Sequence, residues 1–143
     1  MRGRAVSPDG DRGGTLLFFP ATLLVMVVLA AVTVDFARLH LAQRQVDDLA
    51  AATANDAVTV GLDVDGLRSG ADYRLDPGQV RALTAARAER AELPAVVSTH
   101  LTGARSVAVT VSAPVPLAFS AAIPGAPRRV VVRGEATAIA HLR

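Results

Sequence analysis

Between Thr15 and Val34 the chain reads TLLFFPATLLVMVVLAAVTV, twenty residues without a charge. A helix of that length, at about 1.5 Å per residue, covers about 30 Å, the hydrocarbon thickness of a bilayer, so the stretch is predicted to be a transmembrane helix. Pro20 lies about one turn inside it, where a helix start tolerates the lost backbone bond. Past Val34 the helical pattern continues, with no Gly or Pro before Gly61. Apolar or small residues recur at Phe36, Leu39, Val46, Ala50, Thr53, Ala57 and Val60, the three-and-four spacing of one helix face, interrupted at Gln43. Arg38, Arg44, Asp47, Asp48 and Asp56 fall off that stripe, and Arg44 stands three and four residues from two Asp, within reach of weak surface pairs. The spacing predicts a helix over 35–60 that continues the span, making one rod about 45 residues and roughly 70 Å long.

Gly61 to Leu75 is punctuated by Gly, Asp and Ser and reads as a connector with one or two turns. Asp76-Pro77-Gly78-Gln79 then supplies a helix start, with Asp76 as N-cap, Pro77 at the first helical position and Gln79 three residues after the cap. The helix is expected over 77–92, with Val80, Leu83, Ala86 or Arg87, and Ala91 on its face and Leu93-Pro94 as its stop. Beyond Pro94 the period becomes two. Val97, Thr99 and Leu101 alternate with polar residues, Gly103-Ala104-Arg105 turns the chain, and Val107, Val109 and Val111 form a second alternating run, predicting strands at about 96–102 and 106–113. Pro114 and Pro116 are expected to end the second strand or to put it at an edge. After an apolar excursion from Leu117 to Gly125, a third strand is expected at about 128–140, with Val130, Val132, Gly134, Ala136 and Ala138 on one face and Gly134 as a bulge. The fold class is α+β: a transmembrane helix extended into a long amphipathic helix, a second short helix, and a small antiparallel sheet of about three strands.

Composition narrows the function classes. The chain has 143 residues, so about a hundred remain after the apolar run, room for one domain over 35–143. Its aromatic complement is four Phe and one Tyr without Trp, so the core must be built from Val, Leu and Ala. All fifteen basic residues are Arg, and thirteen acids nearly balance them. They are scattered and not interleaved with aromatics, which argues against nucleic acid as a partner. Without Cys there is neither a disulfide framework nor a thiolate metal site. Residues 1–14 carry three Arg and two Asp among Gly and Pro, the composition of a tail that buries nothing. Arg2, Arg4 and Arg12 crowd that tail while Arg38 and Arg44 follow the span more sparsely, which places the tail in the cytoplasm and the domain outside, in a single-pass cell-membrane protein. A cleavable signal peptide is the competing reading, but twenty apolar residues exceed the usual seven to fifteen and small residues at a cleavage spacing are few around Val28, Ala30 and Ala31.

The run V-D-F-A-R-L at 34–39 with Q-V-D-D-L-A-A-A-T-A-N-D-A at 45–57, behind a Gly-ended basic tail, resembles the TadE/TadG-like pilus-assembly proteins of the tight-adherence (Flp-type) system. V-A-V-T-V-S-A-P-V-P-L at 107–117 and V-R-G-E-A-T-A at 132–138 are similar to that family's C-terminal strands. The likeness is densest over residues 12 to 60. It implies a bitopic envelope protein built like a minor pilin, not an enzyme, with other pilin-like or pilus-assembly membrane proteins as partners. Some members of the family are cut after a Gly preceding the span, with Glu fifth after the cut. Gly14 has that place here, but the fifth residue is Phe19, and this departure favours an unprocessed chain.

Searches for chemistry end without a site. Asp63, Asp65 and Gly66 lack the acids and the closing Glu of a calcium loop and read as an Asp-Gly turn. His40, His100 and His141 never reach the i, i+4 spacing of a helical zinc site. Neither a G-x-S-x-G elbow nor a Gly-Lys phosphate loop exists. Catalytic residues, metals, cofactors and small-molecule substrates are therefore not expected. The residues expected to matter are those at the helix boundary and on its packing face: Asp35, Arg38, Val46, Leu49, Ala50, Thr53 and Ala57. Asp35 either ends the span or, with Arg38, sets how far the helix projects. The Ala-rich face from Ala50 to Ala57 is expected to cover the strand domain at one end and meet a pilin-like subunit at the other. The function expected is a structural or assembly component of a tight-adherence pilus or related secretion system. The alternative is a single-pass protein whose ectodomain binds a ligand or envelope partner unrelated to pili.

Overall fold

A computed structural model describes residues 12–70, 74–120 and 124–141. It shows the α+β layout in the order α1 (Arg12–Val60), α2 (Val64–Arg68), α3 (Pro77–Arg90), β1 (Val96–Leu101), β2 (Ser106–Pro116) and β3 (Arg129–Ile139). The strands form one antiparallel sheet in the order β1-β2-β3. Helix α1 runs unbroken through Pro20 and past Asp35. It is long and apolar enough to cross a membrane. Its N-terminal half is covered by almost nothing in the chain, Phe18 being 71% and Leu24 65% exposed.

The outer half of α1 is the spine of the domain. Ala42, Val46, Ala50, Thr53, Ala54 and Ala57 are buried on one stripe against Val107, Val109, Val111 and Val132 of the sheet. Alanines on the helix face valines on the strands, so large and small residues interdigitate and the helix comes close to the sheet. The interruption at Gln43 is a contact: its Nε2 donates to the Arg133 carbonyl at 2.8 Å and to Asp47 Oδ1 at 3.0 Å. Asp47 is thus held by Gln43, and the Arg44 pairs with Asp47 and Asp48 are not formed. The stripe is also shorter than its spacing predicts, since Phe36 is 70% and Val60 58% exposed.

Helix α3 covers the same sheet face near β1. Asp76 caps it as the sequence predicts, accepting from the Gly78 N–H at 2.8 Å with Pro77 in the first turn. The helix ends at Arg90, short of 92, because Ala91 turns extended before Pro94. Val80 and Thr84 are its buried residues, and Arg87 reaches back to Asp56 of α1 in a half-buried ion pair. Within the connector, residues 64–68 form the short helix α2, begun by Asp63 accepting from the Gly66 N–H at 2.9 Å. The connector's base is closed by a Leu62–Leu75 bridge and by the Asp76 N–H donating to the Gly61 carbonyl.

Of the two expectations for the prolines, edge placement is the one that holds. The strand runs to Pro116, with Pro114 opposite Val131 and Pro116 opposite Arg129. The last pairing of β1 with β2 is Val96 with Ser112, so both prolines lie where the β1 side of β2 has no neighbour and a missing N–H costs no ladder bond. Gly134 is not a bulge. Pairing of β2 with β3 is continuous from Ser106–Ile139 to Pro116–Arg129, with Val111 opposite Gly134. Glycine is needed there for closeness: a Cβ at 134 would lie 2.6 Å from Asp47 Oδ1 and 3.0 Å from the Asp47 Cα and N. The opposite face of the sheet is uncovered, with His100, Val131, Glu135, Thr137 and Ile139 exposed on it.

Candidate functional site at the foot of the domain

The described residues contain no group of three His, Cys, Asp or Glu able to hold a metal ion. Asp63 is a helix cap, Asp65 meets Arg68 at 3.4 Å on the surface, and His40, His100 and His141 are exposed and far apart in the chain. What the structure does assemble is a junction between the apolar half of α1 and the end of the sheet where β2 passes into β3.

Asp35 is its centre. The residue is 5% exposed although it stands at the end of the apolar run. Its Oδ1 accepts from the Ala118 N–H at 2.9 Å, and its Oδ2 accepts from the Phe119 N–H at 3.1 Å, the Ser120 N–H at 2.9 Å and the Ser120 hydroxyl at 3.0 Å. Three consecutive backbone donors thus converge on one carboxylate across more than eighty residues of chain. Such donors favour the ionised form. The Ser120 N–H is the largest influence, and with Ala118, the Ser120 hydroxyl and Phe119 it holds the Asp35 carboxyl below its ordinary value against the opposing effect of desolvation.

The segment held by Asp35 lies against α1. Val27, Val28, Ala31 and Val32 line one wall of a cleft whose other wall is Phe119 and whose polar end is Asp35 with Ser120. Phe119 remains 46% exposed. Just above, the Leu117 N–H donates to the Arg128 carbonyl at 3.0 Å and closes the base of the β2–β3 connection.

The remaining predicted residues divide sharply. Val46, Ala50, Thr53 and Ala57 are fully buried under the chain's own sheet and α3, and Leu49 is half-buried beside them. The Ala-rich face is therefore covered at both ends within one chain, and its outer end is not left open for a subunit. Arg38 is exposed and makes no ion pair with Asp35, whose partners among the described residues come from 118–120. Gly14 falls within the first turn of α1. The sequence reading missed the partner of Asp35. Two signals for it were present separately: a charged residue ending an apolar run, and an uncharged connection from Leu117 to Pro127 carrying the only Phe beyond residue 36.

Comparison with known proteins found no family model, no curated protein and no solved structure that matches this chain.

Proposed function

We propose that this protein is a membrane-anchored structural component that acts by helix packing, in an assembly of the tight-adherence pilus type that its sequence resembles. The observation that carries the reading is the single helix α1. Its N-terminal half is an apolar surface that the chain itself leaves bare, while its C-terminal half is the core of the domain. A helix bare over its first half gains from neighbours that pack beside it in a bilayer. Because the same helix carries the domain without a break, the position of the span fixes the position of the domain. The Asp35 contacts add a second attachment at the point where a stalked domain would otherwise pivot.

In this reading residues 1–14 are cytoplasmic, residues 15–34 cross the membrane and the sheet domain lies outside. Protease treatment of intact and opened cells, with a C-terminal tag and the mature mass, tests the orientation and whether the chain is cut at Gly14. The functional reading is tested by deleting the gene and imaging surface fibres. Loss of fibres, restored by the wild-type chain but not by one with 15–34 replaced by a polyleucine span, is the expected result. Normal fibres and adherence in the deletion strain would overturn it.

A further inference from the structure

We infer that the foot of the domain is itself a lipid-binding surface, in which Phe119 enters the boundary of the bilayer beside the span and acyl chains fill the cleft between them. This rests on the reading that residues 15–34 cross a membrane. Val32 and Val27 stand three and eight residues before Asp35, about 4.5 and 12 Å down the helix at the α-helical rise. A cleft walled by these residues and Phe119 therefore lies on the membrane side of Asp35, continuous with the bare apolar surface of α1.

Irregular backbone is excluded from the edge of a hydrocarbon phase unless its N–H groups have partners. Those of Ala118, Phe119 and Ser120 all donate to Asp35. This gives the buried carboxylate a physical purpose: it satisfies the donors that would forbid this segment from sitting where it does. The sequence from Leu117 to Pro127 has no charge and is followed at once by Arg128 and Arg129, both exposed, so basic residues adjoin Phe119 where headgroups would lie.

The chain's four phenylalanines are Phe18, Phe19 and Phe36 on α1, and Phe119 against it. The sheet core contains none, being built of Val, Ala and Leu. Phe119 is thus not a core residue that happens to show an edge. It is held half-exposed on the one surface of the domain that faces the apolar half of the helix.

The absence of Trp from the chain makes the test direct. The full chain carrying Phe119→Trp is reconstituted into phosphatidylcholine–phosphatidylglycerol vesicles, alone or with lipid brominated at a shallow acyl position. Leu24→Trp serves as a probe of the span and Thr137→Trp as a probe of the outer sheet face. The expected result is blue-shifted emission from Phe119→Trp that loses most of its intensity to the brominated lipid, with Thr137→Trp unaffected. Water-like emission at 119 without quenching, while Leu24→Trp is quenched, overturns the proposal and leaves the span reading standing. Loss of quenching at both 24 and 119 means that the span reading itself has failed. Blue-shifted emission at 119 that bromine does not quench means that protein, not lipid, covers the cleft, and also overturns the proposal. Should the Trp variant not fold, a nitroxide on Phe119→Cys, the only thiol in the chain, is expected to be more accessible to oxygen than to a water-soluble nickel complex. The reverse order overturns the proposal.

Discussion

Replacing Gly134 should separate α1 from β3, and the size of the effect follows from three distances. A Cβ there would stand 2.6 Å from Asp47 Oδ1 and 3.0 Å from both the Cα and the N of Asp47. Ordinary contacts begin near 3.4 Å, so the backbone atoms alone require the helix to retreat by about 0.4 Å. Overfilling a packed interior costs about 1–3 kcal/mol. Against this, Gly→Ala returns about 0.4–1 kcal/mol by restricting the unfolded chain. Gly134→Ala is therefore expected to lose about 1–2 kcal/mol net, and Gly134→Val, with two further methyl groups, about 3 kcal/mol or more. For a domain of this size the alanine variant should melt about 5–10 °C lower. Full-length protein in detergent micelles is suitable material, with thermal melting followed alongside hydrogen exchange at the β3 amides. Thr137→Val, on the exposed face of the same strand, is the control and should stay within about 0.5 kcal/mol. Asp47→Ala separates the causes: it removes the carboxylate contact but not the Cα and N contacts, so the Gly134→Ala/Asp47→Ala pair should remain destabilised. A Gly134→Val protein with wild-type melting and β3 protection would refute the close-approach argument.

Other substitutions probe other parts of the fold. Thr53 is fully buried with a hydroxyl that has no hydrogen-bond partner, so the near-isosteric Thr53→Val should stabilise by about 1 kcal/mol, read as a higher melting temperature. At Gly61, where α1 ends, a Cβ would meet the Ala57 carbonyl oxygen and approach Val80 Cγ2 to 2.7 Å; Gly61→Ala should lower stability by about 1–3 kcal/mol in the same assay. Asp35→Asn places an amide NH2 where N–H donors already point, so Ala118 to Ser120 should lose hydrogen-exchange protection while Val107 to Val111 keep theirs. Because the Asp35 carboxyl is held below its ordinary value, its contribution to stability is fully present above about pH 4 and is lost as the pH falls through the lowered value. Wild-type protection at residues 118–120 should therefore fall only in strong acid, and the Asn variant should lack that acid-dependent step.

Where one periodicity governed a segment, the sequence was sufficient to predict the element. The twenty-residue apolar run, the uninterrupted pattern to Val60, the Asp76-Pro77 start and the alternation through Val107, Val109 and Val111 each reappear as an element at the expected place. Failures came where the deciding quantity was a distance between elements. Gly134 read as a bulge because a glycine inside a strand commonly marks one, whereas its cause is the backbone of Asp47, distant in sequence but in contact across the helix–sheet interface. Pro114 and Pro116 read as a strand end or an edge, and only the register, with β1 stopping opposite Ser112, decides for the edge. The middle of the helix stripe, from Val46 to Ala57, was located correctly, but no pattern on one helix can say whether the chain's own sheet or another subunit covers it. The Asp35 junction was least accessible of all, since its donors are main-chain groups and carry no residue signature.

The junction and the core can be separated experimentally because they join α1 to the sheet at different heights. Gln43 to the Arg133 carbonyl and Asp47 against Gly134 lie at the edge of the helix–sheet interface, beside the buried stripe, where a change is felt by the whole cooperative unit. Asp35 grips residues 118–120, beyond the last paired residue of β2. Cutting that grip should therefore open a local unit of low stability without unfolding the domain. If the foot of the domain serves to seat it on a membrane, Asp35→Asn should leave the melting of the sheet nearly unchanged and yet weaken the lipid quenching of a Trp at 119. If Asp35 were merely an ordinary stabilising contact of the fold, both readouts would move together. The Asp35→Asn/Phe119→Trp protein, measured by exchange at Val107 to Val111 and by brominated-lipid quenching in the same vesicles, distinguishes the two: parallel loss would place Asp35 in the core unit, and loss of quenching alone would assign it to the seat.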